Sequence, residues 1–197
     1  MELDYPQIWR QTRGDPLVSD EVMYATGPKS VVYALDTRTG EKRWQWDPGI
    51  PDERQGGPSI CCGDVNRGVA LYGDKVFVGL LDGRLGLDRE TGLVDWTVQT
   101  TPRNDWDYTA TQPLMLLDLP IAGRDRKVII QAAKNGFFYV VDRLTGELIS
   151  ASAFTDDLTW AIGVDVDTGR PIETPEARYG RTGQGVDLSP GPGGAHN

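Results

Sequence analysis

Apolar residues along this chain come in short runs, each closed by a polar turn. Glu21–Ala25 and Ser30–Tyr33 form one pair of runs. Lys75–Gly79 leads to an Asp82-Gly83 turn, and Lys127–Gln131 is followed by Phe137–Tyr139. Val, Ile, Tyr and Phe dominate these runs, which fits strands bounded by turn residues.

The runs recur in a fixed frame. Ala34-Leu35-Asp36-Thr37-Arg38-Thr39-Gly40-Glu41-Lys42-Arg43-Trp44 returns as Gly86-Leu87-Asp88-Arg89-Glu90-Thr91-Gly92-Leu93-Val94-Asp95-Trp96. A third copy runs from Val140 to Ser150, with Asp142, Thr145 and Gly146 in register and Ser150 where Trp stood. A fainter fourth spans Gly163–Arg170. Each copy predicts an apolar strand ending at an Asp whose carboxylate caps the turn. Thr-Gly then supplies a tight turn with Gly at positive φ, and a return strand carries the Trp. The anchors Asp36, Asp88 and Asp142 are 52 and 54 residues apart, close to the length of a propeller blade. The expected fold is all-β: a partial β-propeller of about three to four four-stranded antiparallel blades in one domain over residues 1–197. Blade-like units are placed at 17–46, 69–98, 110–152 and, weakly, 154–175, with a C-terminal coil at 176–197. The Gly/Pro-rich stretch Asp47–Asn66 breaks the pattern and reads as a long functional loop.

Composition narrows the chemistry. A net charge of −9 removes the basic footprint expected of a nucleic-acid binder. The 24 Gly and 13 Pro in 197 residues suit many short strands rather than long helices. No stretch approaches the ~20 apolar residues of a membrane span, and Met1–Pro6 has neither the basic nor the apolar region of a secretory signal. The chain is therefore expected to be cytosolic or to lack its true N-terminus. His196 is the sole histidine, so a multi-His metal site is excluded. Asp105, Asp107, Asp156 and Asp157 are read as surface or turn carboxylates.

Cys61 and Cys62 are adjacent. Neighbouring Cα atoms lie about 3.8 Å apart, whereas an ordinary disulfide spans roughly 4.4–6.8 Å. A bridge here would close a small strained ring, of the kind kept at ligand sites. Two reduced, buried thiols are the plainer alternative.

Several motifs together resemble the PQQ-dependent alcohol dehydrogenases, the methanol/ethanol quinoproteins. They are the Trp repeat, Cys61-Cys62 with Asn66-Arg67-Gly68, Asn104–Gln112 (NDWDYTATQ), Lys134–Tyr139 (KNGFFY) and the terminal Gly194-Ala195-His196-Asn197. The resemblance covers nearly the whole chain from about Val18. It implies an eight-bladed propeller holding pyrroloquinoline quinone (PQQ) beside Ca2+. It also implies a Cys61–Cys62 disulfide packed on one cofactor face, Arg67 paired with a cofactor carboxylate, Lys134 on the quinone oxygens, and Asn197 in contact with the cofactor. Arg67 suits its part because a guanidinium fork can bond a carboxylate bidentately. The implied reaction oxidises a primary alcohol to an aldehyde, with Ca2+ as Lewis acid and an Asp as general base. A cytochrome c-type electron acceptor and a periplasmic location come with the family.

The sequence departs from that pattern. Trp96-Thr97-Val98-Gln99-Thr100-Thr101-Pro102 runs straight into Asn104-Asp105-Trp106-Asp107, as though an early and a later copy of one segment had been fused. The family's Ca2+ ligands and general-base Asp would lie in the blades lost between them, so neither is assigned to a residue here. The stretch Arg13-Gly14-Asp15-Pro16-Leu17 lacks the family's Glu, and blades expected beyond Asn197 are missing. An internally deleted, C-terminally truncated member, or a misassembled gene, is the expectation. A non-catalytic propeller scaffold, like the outer-membrane assembly lipoproteins, is the alternative. Cys61, Cys62 and Arg67 discriminate against it.

Overall fold

The computed structural model of the chain describes residues 14–51, 64–82, 87–88, 90–181, 185–191 and 194–195. Its strands form four antiparallel sheets. The first contains β1 (Leu17–Ser19), β2 (Val22–Thr26), β3 (Val32–Asp36) and β4 (Lys42–Trp46), paired in chain order. The second contains β5 (Val69–Tyr72), β6 (Lys75–Val78) and β7 (Leu87–Asp88). The third contains β8 (Met115–Ile121), β9 (Arg124–Ala132), β10 (Phe137–Asp142) and β11 (Leu148–Ala153), again in chain order. β12 (Ala161–Asp165) and β13 (Arg170–Glu173) make a two-stranded hairpin. Consecutive strands always neighbour one another, as in propeller blades. Where a C-terminal coil was expected from residue 176, Pro175–Arg181 forms a 3-10 turn.

The repeated hairpins share the same local bonds where they are described. Asp36 Oδ1 accepts the N–H of Arg38 and of Thr39, both at 3.0 Å. Asp142 Oδ1 accepts those of Leu144 and Thr145 at 2.9 and 3.2 Å, and Asp165 Oδ1 that of Thr168 at 2.8 Å. The hydroxyls of Thr39, Thr91, Thr145 and Thr168 each accept the N–H two residues on. Gly40, Gly92, Gly146 and Gly169 all take φ between 69° and 77°, the left-handed region that only glycine enters at no cost. The side-chain hydrogen bond from Arg43, with the turn N–H groups behind it, holds the Asp36 carboxyl well below the usual carboxylate range.

These turns also lock sheet to sheet. A Cβ on Gly92 would lie 2.7 Å from the Trp44 ring, and a Cβ on Gly146 would lie 2.7 Å from the Trp96 ring. Each Trp ring therefore packs against the glycine of the Thr-Gly turn in the following sheet. Trp44 is itself supported from within its sheet. Ala34 pairs with both Tyr24 and Trp44, and its small side chain lets the two rings meet at 6.0 Å. Around them lies a first core of Val22, Val32, Ile50, Val76, Val78 and Leu80. A second core gathers Trp106, Tyr108, Phe137, Tyr139, Val141 and Trp160.

The chain between β7 and β8 ties the second sheet to the third. Ala110 donates to Leu80 O at 3.2 Å, and Gln131 of β9 donates to Ala110 O and Gln112 O at 2.7 and 3.0 Å. A Cβ at Gly79 would fall 2.0 Å from Ala110 O, so glycine is needed for this backbone crossing.

Candidate functional site

Lys134 sits at the tip of the β9–β10 hairpin. Ala133 N–H bonds Phe137 O, and Gly136 N–H bonds Ala133 O, each at 3.1 Å. Gly136 takes φ 88° and packs so closely on Leu158 that a Cβ would come within 2.6 Å of it. Next to Lys134, Asn135 is fully buried and bonded in every direction. Its Nδ2 donates to Thr100 O, Thr101 Oγ1 and the Tyr139 hydroxyl at 2.8–3.1 Å. Its Oδ1 accepts from Phe137 N–H, and its carbonyl accepts from Trp160 Nε1 at 2.7 Å. A hairpin pinned at residue 135 leaves residue 134 little backbone freedom. Burial pushes the Tyr139 hydroxyl's ionisation well up, so it stays a neutral partner in this network.

The Lys134 amine is not a solvated loop charge. Its Nζ donates to Asp107 Oδ2 at 2.9 Å, and the two side chains are 15% and 11% exposed. Asp107 is thus a turn carboxylate, one of the two readings expected of it, but it is buried in an ion pair rather than on the surface. Two aromatic neighbours carry it inward. Trp106 and Tyr108 stack at 5.4 Å, and both rings meet Trp160. Trp106 Nε1 donates to Ala177 O at 2.7 Å, and the Tyr108 hydroxyl donates to Pro190 O. Asn104 Oδ1 accepts the N–H groups of Trp106 and Tyr108 and closes the turn that puts Asp107 at φ 63°. A carboxylate set between two large aromatics, Trp106-Asp107-Tyr108, was the signal in the sequence that pointed inward.

The loop is clamped from the 3-10 turn that follows β13. Arg178 places its guanidinium 4.2 Å over the Trp106 ring. It donates to both Glu173 carboxylate oxygens at 2.6 and 2.7 Å, to Asp105 Oδ2 at 2.6 Å and to Pro102 O at 2.7 Å. Burial alone would pull its ionisation down. The Glu173 and Asp105 bonds more than reverse that. Asp105 is 59% exposed despite this contact, and Asp156 and Asp157 are exposed.

Two distant motifs meet at Lys134. Ala195 N–H donates to Lys134 O at 2.7 Å. Gly194 approaches so closely that a Cβ there would lie 2.3 Å from the same oxygen. Asn197 follows two residues later but, like Cys61 and Cys62, lies outside the described residues. Arg67 is exposed, while its backbone is fixed by its neighbour. Buried Asn66 donates to Ser30 Oγ at 2.9 Å and Gly79 O at 2.7 Å, and accepts from Gly68 N–H at 2.9 Å.

Comparison with known proteins fits this arrangement. The sequence model of the PQQ family's glucose/ethanol/alcohol dehydrogenase β-propeller domain matches residues 4–85 and again 85–151. The chain belongs to this family. A quinohemoprotein alcohol dehydrogenase, ADH-IIG, of Pseudomonas putida is 29% identical over 334 aligned residues, which take in 95% of this chain and 46% of the relative. The dehydrogenase subunit of the quinone alcohol dehydrogenase of Komagataeibacter europaeus is 46% identical over 125 residues, 64% of this chain and 16% of that subunit. The chain spans about half the length of the first of these, or less. The solved ADH-IIG structure from P. putida superposes with a TM-score of 0.51 over 94% of this chain and 48% of that one. BamB from Moraxella catarrhalis, 20% identical, superposes with a TM-score of 0.54 over 79% of this chain and 49% of its own, a likeness of fold alone. The fold is thus a partial β-propeller of PQQ-dehydrogenase type.

Proposed function

We propose that this chain carries part of the PQQ site of an alcohol dehydrogenase and binds the quinone without completing turnover by itself. One observation carries the reading. Lys134 and the Gly194–Ala195 segment, sixty residues apart, are joined by a 2.7 Å hydrogen bond. The family resemblance assigns both motifs to one cofactor. The residues present fit one edge of the quinone: a pinned hairpin offers an amine of low exposure, and a glycine brings a second backbone against it.

Lys134 would hold the quinone oxygens, and Asn197 would bond the same ligand from the segment beside it. Arg67 would pair with a cofactor carboxylate, and a Cys61–Cys62 disulfide would pack on the ring face. The chemistry that the quinone and Ca2+ would supply is oxidation of a primary alcohol to an aldehyde, by hydride acceptance with Ca2+ as Lewis acid while the hydroxyl proton goes to the family's general base. A cytochrome c-type acceptor would then take the electrons, in the periplasm. P. putida ADH-IIG is aligned over 334 residues, far more than this 197-residue chain supplies. That supports a large internal gap relative to that dehydrogenase.

The test is titration with PQQ, with and without Ca2+, followed by quenching of tryptophan fluorescence. Saturable quenching with no alcohol oxidation is expected. Absence of binding overturns the cofactor reading, and Ca2+-dependent turnover overturns the claim of incompleteness. A thiol titration of the unfolded, unreduced chain is expected to find no free thiol. Two free thiols would remove the disulfide from the site.

A further inference from the structure

We infer that Tyr72 is a nucleophilic phenol at the seam between the second and third sheets, a site of O-acylation by activated acyl donors such as acyl phosphates and acyl imidazoles. The site is independent of the cofactor reading. Tyr72 ends β5, where it pairs with Lys75 across the turn that Gly73 makes at φ 55°. It is 42% exposed, while Tyr24, Tyr108 and Tyr139 are buried. A reagent in solvent therefore reaches this phenol and not those three.

The third sheet holds two cations against it. Lys127 of β9 donates from Nζ to the Tyr72 hydroxyl at 3.2 Å. The Arg143 guanidinium lies 3.6 Å over the ring centre, well inside the ~6 Å reach of a cation–π contact. Both cations are set by the framework. Arg143 N–H donates to Lys127 O at 2.9 Å, which ties the turn after β10 to β9. The buried Arg143 side chain donates to Leu117 O at 3.1 Å and to Asp118 Oδ1 at 2.6 Å. Asp118 also lies 3.9 Å from Lys127 Nζ, but it is 60% exposed. On the hairpin of Tyr72 itself, Lys75 bonds Asp95 at 2.8 Å, and the exposed Asp74 stands 3.7 Å from the same amine. Two cations thus face the phenol and share one solvated carboxylate. The hydrogen bond from Lys127, followed by the charges of Lys127 and Arg143, holds the Tyr72 phenol below its ordinary ionisation range.

A nucleophile is activated when neighbouring cations favour its anion. The phenolate oxygen bonds the acyl carbon, and the bond from that carbon to phosphate or imidazole breaks. The leaving group departs with the electron pair, and the phenol proton goes to water. Ring and cations stand on different sheets, so the activated phenol exists only while the second and third sheets are packed together.

The test is acetylation of the full chain with N-acetylimidazole between pH 6.5 and 10.5, read by peptide mass spectrometry with N-acetyltyrosine amide in the same mixture. At pH 7.5 Tyr72 is expected to react several-fold faster than the free amide. Its rate midpoint should lie below the ~10 of an ordinary phenol. Tyr72→Phe should remove the product. Lys127→Met should slow Tyr72 several-fold at pH 7.5 and move the midpoint upward. Exposure alone would scale the rate equally at every pH and leave the midpoint in place. Labelling of Tyr24, Tyr108 and Tyr139 in Lys127→Met would report a lost fold, and the profile of the native chain then decides. A native midpoint at or above that of the free amide overturns the inference, as does a folded Lys127→Met chain whose profile matches the native one.

Discussion

The docking of Trp96 on Gly146 makes a quantitative claim about why the repeat carries glycine. Replacing Gly146 by Ala does two things at once. It forces a Cβ into φ 77°, and it pushes that Cβ to 2.7–2.9 Å from three atoms of the indole. The left-handed conformation costs a non-glycine residue about 1–2 kcal/mol. Forcing an extra carbon into a packed contact costs roughly 1–3 kcal/mol more. A total of roughly 2–5 kcal/mol would lower Tm by about 4–20 °C in a chain of this size. Gly123 supplies the control. It has nearly the same φ, 74°, but a Cβ there meets nothing within 4 Å. Gly123→Ala should therefore lose only the conformational part, about 1–2 kcal/mol. Urea unfolding of the two variants, followed by far-ultraviolet circular dichroism, measures the difference. Placing Gly146→Ala in a Trp96→Ala background should bring its cost down to that of Gly123→Ala. If the two glycines cost the same with Trp96 present, the indole does not constrain the turn and the account of sheet-to-sheet locking is wrong.

Two further perturbations probe the clamp and the turns. Arg178→Lys keeps the charge but loses the fork that reaches Glu173, Asp105 and Pro102 O. It should cost about 1–3 kcal/mol and shift tryptophan emission as Trp106 loses its stacked guanidinium; unchanged emission and Tm would refute the clamp. The carboxyl of Asp36 is held below its ordinary range in the folded state, so its contribution is present above about pH 4 and is lost as pH falls further. The Tm difference between the native chain and Asp36→Asn should accordingly shrink as pH drops from 6 to 2, and a constant difference would exclude that linkage.

The turns were legible in the sequence because their chemistry is local. Asp36, Thr39 and Gly40 bond within five residues of one another, so fixed offsets recorded the whole structure of the turn. The partner of each Trp was not legible. Trp44 meets Gly92 and Trp96 meets Gly146 only once adjacent sheets stack, and no offset encodes that distance. Asp107 was missed for a related reason. Asp105 and Asp107 look alike in a polar stretch, and what separates them is the pair of flanking aromatics, whose burial depends on Trp160, Ala177 and Pro190 from later in the chain. Arg178 shows no sequence signal at all: its partners Pro102, Asp105 and Trp106 stand more than seventy residues upstream. Lys134 was placed by its resemblance to a family motif, and the structure adds the ion pair that no motif states.

Fold and site therefore depend on length in different ways. The sheets are held by their own turns, and the first and second also by a Trp contact to the next sheet, so stability is built from nearest neighbours, as in other repeat architectures. Removing whole blades leaves the surviving contacts, Trp44 on Gly92 and Trp96 on Gly146, intact. A cofactor at a propeller's axis takes one or two groups from each of many blades. It loses a contact with every blade removed, even when each remaining side chain is correctly held. The Lys134–Asp107 pair illustrates the separation. Its supports lie between Thr100 and Ala195, within one sheet and the segments packed on it. For this chain, retention of a well-formed Lys134 is consequently evidence about the third sheet and its neighbours. Only ligand titration tests how much of the ring's centre remains.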